Sequence, residues 1–409
     1  MKKALIIILV ILSIFSFVRH QRRAPKRNFS DFHIYYVTGR RILNKQDIYI
    51  PEDQEHAEFK YSSLFALFMV PFALFPERAA DALWYLLQFS LLFFIFASAK
   101  ELVCSNSLVG KKLYLFYALS FLVMARFIFL NLDLGQPNIL MLALLLLGFR
   151  YYLRKDDLAC GLLIGLAVMV KYTPLLIIPY FLYKKRIRLA LLILLSVVLF
   201  SFASGALLRA LDPNVTSLKL TEQISYLKRS CLNPETLIMD YKNQSLLRYI
   251  YVFFSSTTYG IEFFKFSRGL VTAFIALIVF VLYAFMLVPL RSKDTLNLSL
   301  LVSYIAFLNP NGWLHGYIFL ILAYMSCIYY LIKVNFKDRV VLILLSVAFI
   351  FHSFTSSSVL EGIFGKGLYL AGYAQRPVSM ADLYGWVTLA TIPLIAALLL
   401  IKQKGRSFC

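Results

Sequence analysis

The sequence predicts an all-α, polytopic integral membrane protein, and three observations predict it. Of its 409 residues, 60% are hydrophobic and only 15% are charged, whereas a soluble chain is about a quarter charged. Mean hydropathy is +0.74. The apolar residues also fall in long blocks along almost the whole chain, unlike the short alternating segments of a transmembrane β-barrel.

Taken in order, residues 1–18, "MKKALIIILVILSIFSFV", have the layout of a signal peptide. "RHQRRAPKR" follows where a small-residue cleavage site would stand, so an uncleaved first transmembrane helix is expected. A polar loop, 19–61, leads to a helical core, 62–208, with apolar runs at 62–76, 82–100, 113–130, 138–153, 158–171, 173–183 and 189–208. A polar stretch with an interfacial helix, 209–267, separates this core from C-terminal helices over 268–401, with runs at 268–290, 296–309, 315–333, 339–354 and 383–401. Several runs are shorter than the ~20 residues that span a bilayer upright. The proline-interrupted "GLLIGLAVMVKYTPLLIIPYF" suggests broken or re-entrant helices, which are tolerated where they line a cavity. The expectation is about 11–13 hydrophobic segments in one membrane-embedded domain, with short interfacial helices in the first loop.

Net charge is +21, from 42 Lys and Arg against 21 Asp and Glu. The cations flank apolar runs, which points to loops at an anionic lipid surface and away from nucleic acid. The basic loops at 111–112, 150–155 and 183–188 and near the C-terminus read as cytoplasmic, whereas "RHQRRAPKR" pulls the first loop toward the same side. The five cysteines are scattered with no CxxC, and no residue set has metal-site spacing. No metal or cofactor is expected. The absence of a G-x-x-x-x-G-K-[ST] run argues against an ATP-driven pump.

An ionisable group inside a membrane costs about 2.5–3.5 kcal/mol on translocon scales, so each one calls for a reason. In "DFHIYYVTGRRILNKQDIY", 31–49, helical spacing puts Phe32, Tyr36, Gly39 and Leu43 on one stripe, with Asp31, Tyr35 and Thr38 beside it. Asp31 then caps a surface helix or is a catalytic carboxylate, and Tyr35 is a candidate substrate contact. "LNLDLGQPNILML", 130–142, is a plain turn or a set of amides, Gln136 and Asn138 among them, that binds sugar hydroxyls. Lys171, three residues before Pro174, snorkels to a headgroup or meets an anionic phosphate. Asn243 and Gln244 open "NQSLLRYIY", an aromatic amphipathic stretch suited to a membrane surface; both are loop surface or substrate contacts. His315 starts a long apolar run beside Trp313, as an aromatic-belt residue or as a phosphate or sugar ligand.

Taken together these places resemble one family. "DFHIYYVTGRRILNKQDIY" resembles the first-loop signature of the polyprenol-phosphate-mannose-dependent α-mannosyltransferases of glycosyltransferase family 87. "FKYSSLFALFMVPFALFP", "LGQPN", "GLLIGLAVMVKYTPL", "NQSL" and "NPNGWLHGYIFLIL" follow in that family's order, from about residue 31 to 330. The resemblance implies a GT-C-like membrane fold with its site at the extracytoplasmic face. It also implies inverting transfer of a hexose, usually mannose, from a polyprenyl phosphate to a hydroxyl of a lipid or glycan acceptor. By the same match Asp31 takes the general-base position, while Lys171, Gln136, Asn138, Asn243, Gln244 and His315 fall where the family handles donor phosphate and sugar. Two places depart from its pattern: Tyr61-Ser62-Ser63 stands in place of a proline pair, and Asn44 and Gln46 stand where glycine is usual.

The chemistry expected of such a transfer fits these residues. A carboxylate must remove the acceptor proton, which Asp31 can do. Cations or donors must meet the charge growing on the leaving phosphate, a task for Lys171 and His315 with Arg126. Expected partners are therefore a polyprenyl-phosphate sugar, the acceptor and membrane lipids, in a bacterial inner or plasma membrane. Two other classes share the cavity and cations: a transporter or flippase of a lipid-linked saccharide, and an envelope glycan polymerase or ligase.

Overall fold

The computed structural model describes residues 14–27, 30–49, 59–104, 108–211, 243–255, 263–287, 294–310, 312–355, 369–373, 376–379, 382 and 384–404. Most of the expected first helix (residues 1–13) and most of the 209–267 stretch lie outside them. The regular elements among the described residues are helices apart from one two-stranded antiparallel hairpin, β1 (Tyr369–Tyr373) with β2 (Arg376–Ser379). The hairpin lies within the polar 355–382 stretch, where no periodic apolar pattern announced it. The chain is an all-α polytopic membrane protein in every other described element, and five helices are long and apolar enough to cross a membrane.

The helices are α1 (14–23), α2 (Ser30–Leu43), α3 (Ser63–Ala73), α4 (Glu77–Val103), α5 (Gly110–Leu134), α6 (Asn138–Leu153), α7 (Asp157–Val170), α8 (Ile178–Tyr183), α9 (Ile187–Leu211), α10 (Leu246–Phe254), α11 (Arg268–Leu287), α12 (Asp294–Phe307), α13 (Ile321–Lys333), α14 (Arg339–Phe354) and α15 (Trp386–Gln403). Short 3-10 turns at Thr173–Ile177 and Leu314–Leu320 lead into α8 and α13. Their starts follow local chemistry. The side chains of Ser62, Asp156 and Asp338 accept from the backbone N–H of Phe65, Ala159 and Val341, capping α3, α7 and α14. The Ser62 hydroxyl also donates to the Met169 carbonyl at the end of α7. Beside it, buried Ser63 bonds Ser204 of α9 at 2.7 Å.

The chain divides into two compact units. One comprises Met1–Ile95, Phe129–Tyr172 and Arg188–Tyr226. Here α2 packs on α3, α3 on α7, and α6 on α7. Gly161 and Gly165 let α9 approach α7 closely: a Cβ on Gly165 would stand 2.5 Å from that of Ser196. The basic run after the first helix is partly neutralised within this unit. His20 Nε2 lies 2.8 Å from Asp81 Oδ2, with both side chains buried, Gln21 donates to the same oxygen at 3.1 Å, and Arg19 stands 3.7 Å from Asp133. Of the cations in that run, Arg19 thus has an acidic partner within the protein.

The other unit comprises Phe96–Ile128, Thr173–Ile187 and Leu227–Cys409. Its centre is α13, on which every residue from Ile321 to Ile332 is buried. Around it α14 packs on α15, and α12 meets the Leu314–Leu320 turn, α13 and α15. Lys184 just after α8 bridges to Asp294 at the start of α12 at 2.8 Å, and Tyr180 donates to the same carboxylate at 3.2 Å.

Candidate active site

Asp31 sits in the first turn of α2. Its Oδ2 accepts a hydrogen bond from the Nε2 of Gln136, so the carboxylate faces the turn between α5 and α6. Among the described residues Gln136 is the partner of this carboxylate. No backbone amide among the described residues donates to it.

Several features bring Gln136 there. The α5–α6 turn closes at Gly135, whose φ of +67° is the left-handed region in which a side chain is strained. A Cβ on Gly135 would also stand 2.7 Å from that of Phe32, so only glycine lets the turn come this close to α2. Trp84 of α4 completes the bracket. Its indole N–H donates to the Gly135 carbonyl at 2.7 Å, and its ring stacks on that of buried Phe32, with centroids 6.4 Å apart.

The same turn places Asn138 at the start of α6. Buried Asn138 donates through Nδ2 to Asn131 at 3.0 Å, and its Oδ1 accepts from Lys171 Nζ at 3.4 Å, a long bond. Lys171 ends α7 in extended backbone geometry, where the helix breaks ahead of Pro174. It is half-buried, and its charge acts on Asp31. An ammonium has three donors, and Asn138 takes one. Burial pushes the Asp31 carboxyl above its ordinary value, while the Gln136 hydrogen bond and the Lys171 charge act in the opposite direction.

Tyr35, one turn after Asp31, is 1% exposed. Its hydroxyl lies 2.9 Å from that of Tyr61, and its ring meets Tyr61 and Phe65 edge-on at 5.1 and 5.3 Å. Burial raises its pKa well above the ordinary phenol value, so this hydroxyl stays neutral and serves as a hydrogen-bonding group. Asp31, Tyr35, Gln136, Asn138 and Lys171 are thus drawn together in one unit. Sequence reasoning gave Trp84 no role; it met Asn131 only as one of the amides of the 130–142 turn and Tyr61 only as part of the motif that departs from the family's pattern.

The remaining candidates lie in the other unit. Asn243 and Gln244 act there as a clamp on the "NPNG" turn. Asn243 Nδ2 donates to the Pro310 carbonyl at 2.7 Å, and its Oδ1 accepts from the backbone N–H groups of Ser245 and Gly312, both at 3.0 Å. The Gln244 N–H donates to the Gly312 carbonyl at 2.6 Å, and its own carbonyl accepts from Tyr317 at 2.5 Å and from Thr388. A Cβ on Gly312 would collide with the Ser245 backbone at 2.9 Å. His315 follows in the 3-10 turn, 7% exposed, its ring parallel to that of Trp313 with centroids 6.4 Å apart. Arg126 of α5 donates to the carbonyl of His352 at 2.7 Å and to the hydroxyl of Thr355 at 3.3 Å, joining α5 to the end of α14.

The helix α10 differs from the surface helix that its aromatics suggested. Arg248, Tyr249, Ile250, Tyr251 and Val252 are buried, with the Arg248 guanidinium 4.9 Å from the Tyr249 ring centre. A cation stacked on an aromatic face can leave water at less cost than a bare one, so the arginine faces protein. Among the described residues no group of three or more His, Cys, Asp or Glu is placed to hold a metal ion.

Several membrane-crossing segments, with a carboxylate, amides and a lysine gathered at helix ends, define a membrane-embedded protein with a polar site. The chain belongs to glycosyltransferase family 87, whose model matches residues 59–310, more than half of its length. It is a glycosyltransferase and a multi-pass membrane protein. The matched region contains Gln136, Asn138, Lys171, Asn243 and Gln244, begins after Asp31 and ends before His315. No curated protein and no solved structure matches the chain.

Proposed function

We propose that this glycosyltransferase moves a hexose, mannose in the first instance, from a polyprenyl-phosphate sugar to a hydroxyl of a lipid or glycan acceptor, with inversion. The reaction takes place at the extracytoplasmic face of a cell membrane, in a bacterium the plasma membrane. The observation that carries this reading is the carboxylate of Asp31, bonded on one oxygen by Gln136, with Lys171 in the same cluster.

The acceptor hydroxyl oxygen attacks the anomeric carbon as Asp31 takes its proton. The bond from that carbon to the phosphate oxygen breaks, and the electron pair leaves with the polyprenyl phosphate. Base assistance of this kind is typically worth about 10²–10⁴-fold. The Lys171 ammonium supports the departing phosphate as a point charge.

Sugar transfer from labelled polyprenyl-phosphate mannose to endogenous acceptors tests this reading, in membranes carrying wild type or Asp31→Asn at equal expression. Transfer by wild type and none by the variant is expected. Equal transfer by both overturns the role of Asp31, and transfer by neither overturns the donor.

A further inference from the structure

Resting on that reading of Asp31, we infer that Gln136 is the positioning residue of the base and not a ligand of the sugar. The polar "GQPN" turn reads in sequence as a set of sugar-binding amides. In the fold, the donor end of the Gln136 amide is already occupied, on Oδ2 of Asp31. The other carboxylate oxygen, Oδ1, accepts no hydrogen bond from the described residues, so the proton of the acceptor has one oxygen to go to. The carboxylate is divided between a held oxygen and a working one.

The far end of the same amide supports this assignment. Gln136 is only 3% exposed, and its Oε1 is buried without a hydrogen-bond partner among the described residues. The amide is enclosed by protein, and its donor end is aimed at a carboxylate. Chemistry also fixes which end faces Asp31, because an ionised carboxylate only accepts and the amide oxygen would repel it. The turn is built around this contact: Gly135 at φ +67°, pressed on Phe32, precedes Gln136 directly, and Trp84 holds the Gly135 carbonyl.

Two consequences follow. The hydrogen bond fixes the carboxylate's rotation, so its loss slows the chemical step more than it weakens donor binding. It also favours the ionised form, so its loss moves the acid limb of the pH profile upward.

The test uses the full-length protein in detergent or membranes. The donor is short-chain polyprenyl-phosphate mannose, and the acceptor is total lipid extract of the host. Gln136→Leu is expected to lower kcat by up to about 100-fold, the scale of a misplaced catalytic group, with KM for the donor little changed. Its acid limb is expected at higher pH than in wild type. Gln136→Glu, of the same length, keeps the fold testable if the leucine variant does not accumulate; a second carboxylate beside Asp31 also moves the limb upward. Asp31→Asn runs in parallel. If it is inactive while both Gln136 variants keep the wild-type limb and kcat, the inference fails and the reading of Asp31 stands. A rise in KM alone makes Gln136 a substrate ligand and overturns the inference. An active Asp31→Asn overturns the reading beneath it.

Discussion

Trp84 and Gly135 are joined by an indole N–H to carbonyl hydrogen bond of 2.7 Å, and through it α4 holds the turn that carries Gln136. Trp84→Phe keeps an aromatic ring against Phe32 and removes the indole N–H, which donates to the Gly135 carbonyl and also reaches the side chain of Gln88. A neutral hydrogen bond contributes about 1 kcal/mol net, so thermal stability should fall slightly. Sugar transfer should fall further, because the turn that aims Gln136 at Asp31 loosens. A variant with unchanged transfer would show that Gly135 and Phe32 fix the turn without the indole.

The pH dependence of transfer follows from the burial of Asp31. A base must be ionised to accept a proton, and burial raises this carboxyl above its ordinary value. Activity should therefore disappear as pH falls through that raised value, above the ~3.9 of an exposed aspartate, and decline again at alkaline pH, where the Lys171 ammonium, lowered to about 8 by burial, loses its proton. Lys171→Met removes a charge that favours the ionised form, so its acid limb should lie higher still, with weaker donor binding. Initial rates across pH for the two proteins check both the position and the direction of the shift.

His20 and Asp81 form a buried pair at 2.8 Å, with Gln21 on the same carboxylate. Removing one partner of a buried hydrogen bond leaves the other unsatisfied at about 1–3 kcal/mol, whereas replacing both with apolar groups can be nearly neutral. Asp81→Leu should therefore lower the unfolding temperature in detergent markedly, and the double variant His20→Leu/Asp81→Leu should recover much of the loss. Additive losses in the double variant would mean that the two side chains contribute separately.

Asn243 makes three hydrogen bonds that close the "NPNG" turn upstream of His315. Asn243→Ala should destabilise the protein by about 1–3 kcal/mol, the cost of leaving buried backbone groups unsatisfied. Asn243→Asp keeps the acceptor of the Ser245 and Gly312 amides and should fall between alanine and wild type. Thermal unfolding in detergent ranks the three. An alanine variant as stable as wild type would return Asn243 to the role of a substrate contact.

The sequence by itself determined the class and nearly all of the element map. Apolar runs report helices directly in a membrane, because every backbone group must be satisfied within its own segment. The run 138–153 matches Asn138–Leu153, and 339–354 matches Arg339–Phe354. The order of the polar motifs also carried the family. Only the tertiary structure decided what each polar side chain does. Asp31 and Gln136 are far apart in the chain, and nothing at position 31 announces whether its carboxylate caps a helix or meets a distant amide. Asn243 and Gln136 looked alike as loop amides, yet one ties a turn together and the other bonds a carboxylate. Trp84 had no polar neighbour to mark it, since its function comes from one N–H reaching a carbonyl on another helix. Periodicity records which face of a helix is apolar; the partner of a single polar atom is fixed by how the helices pack.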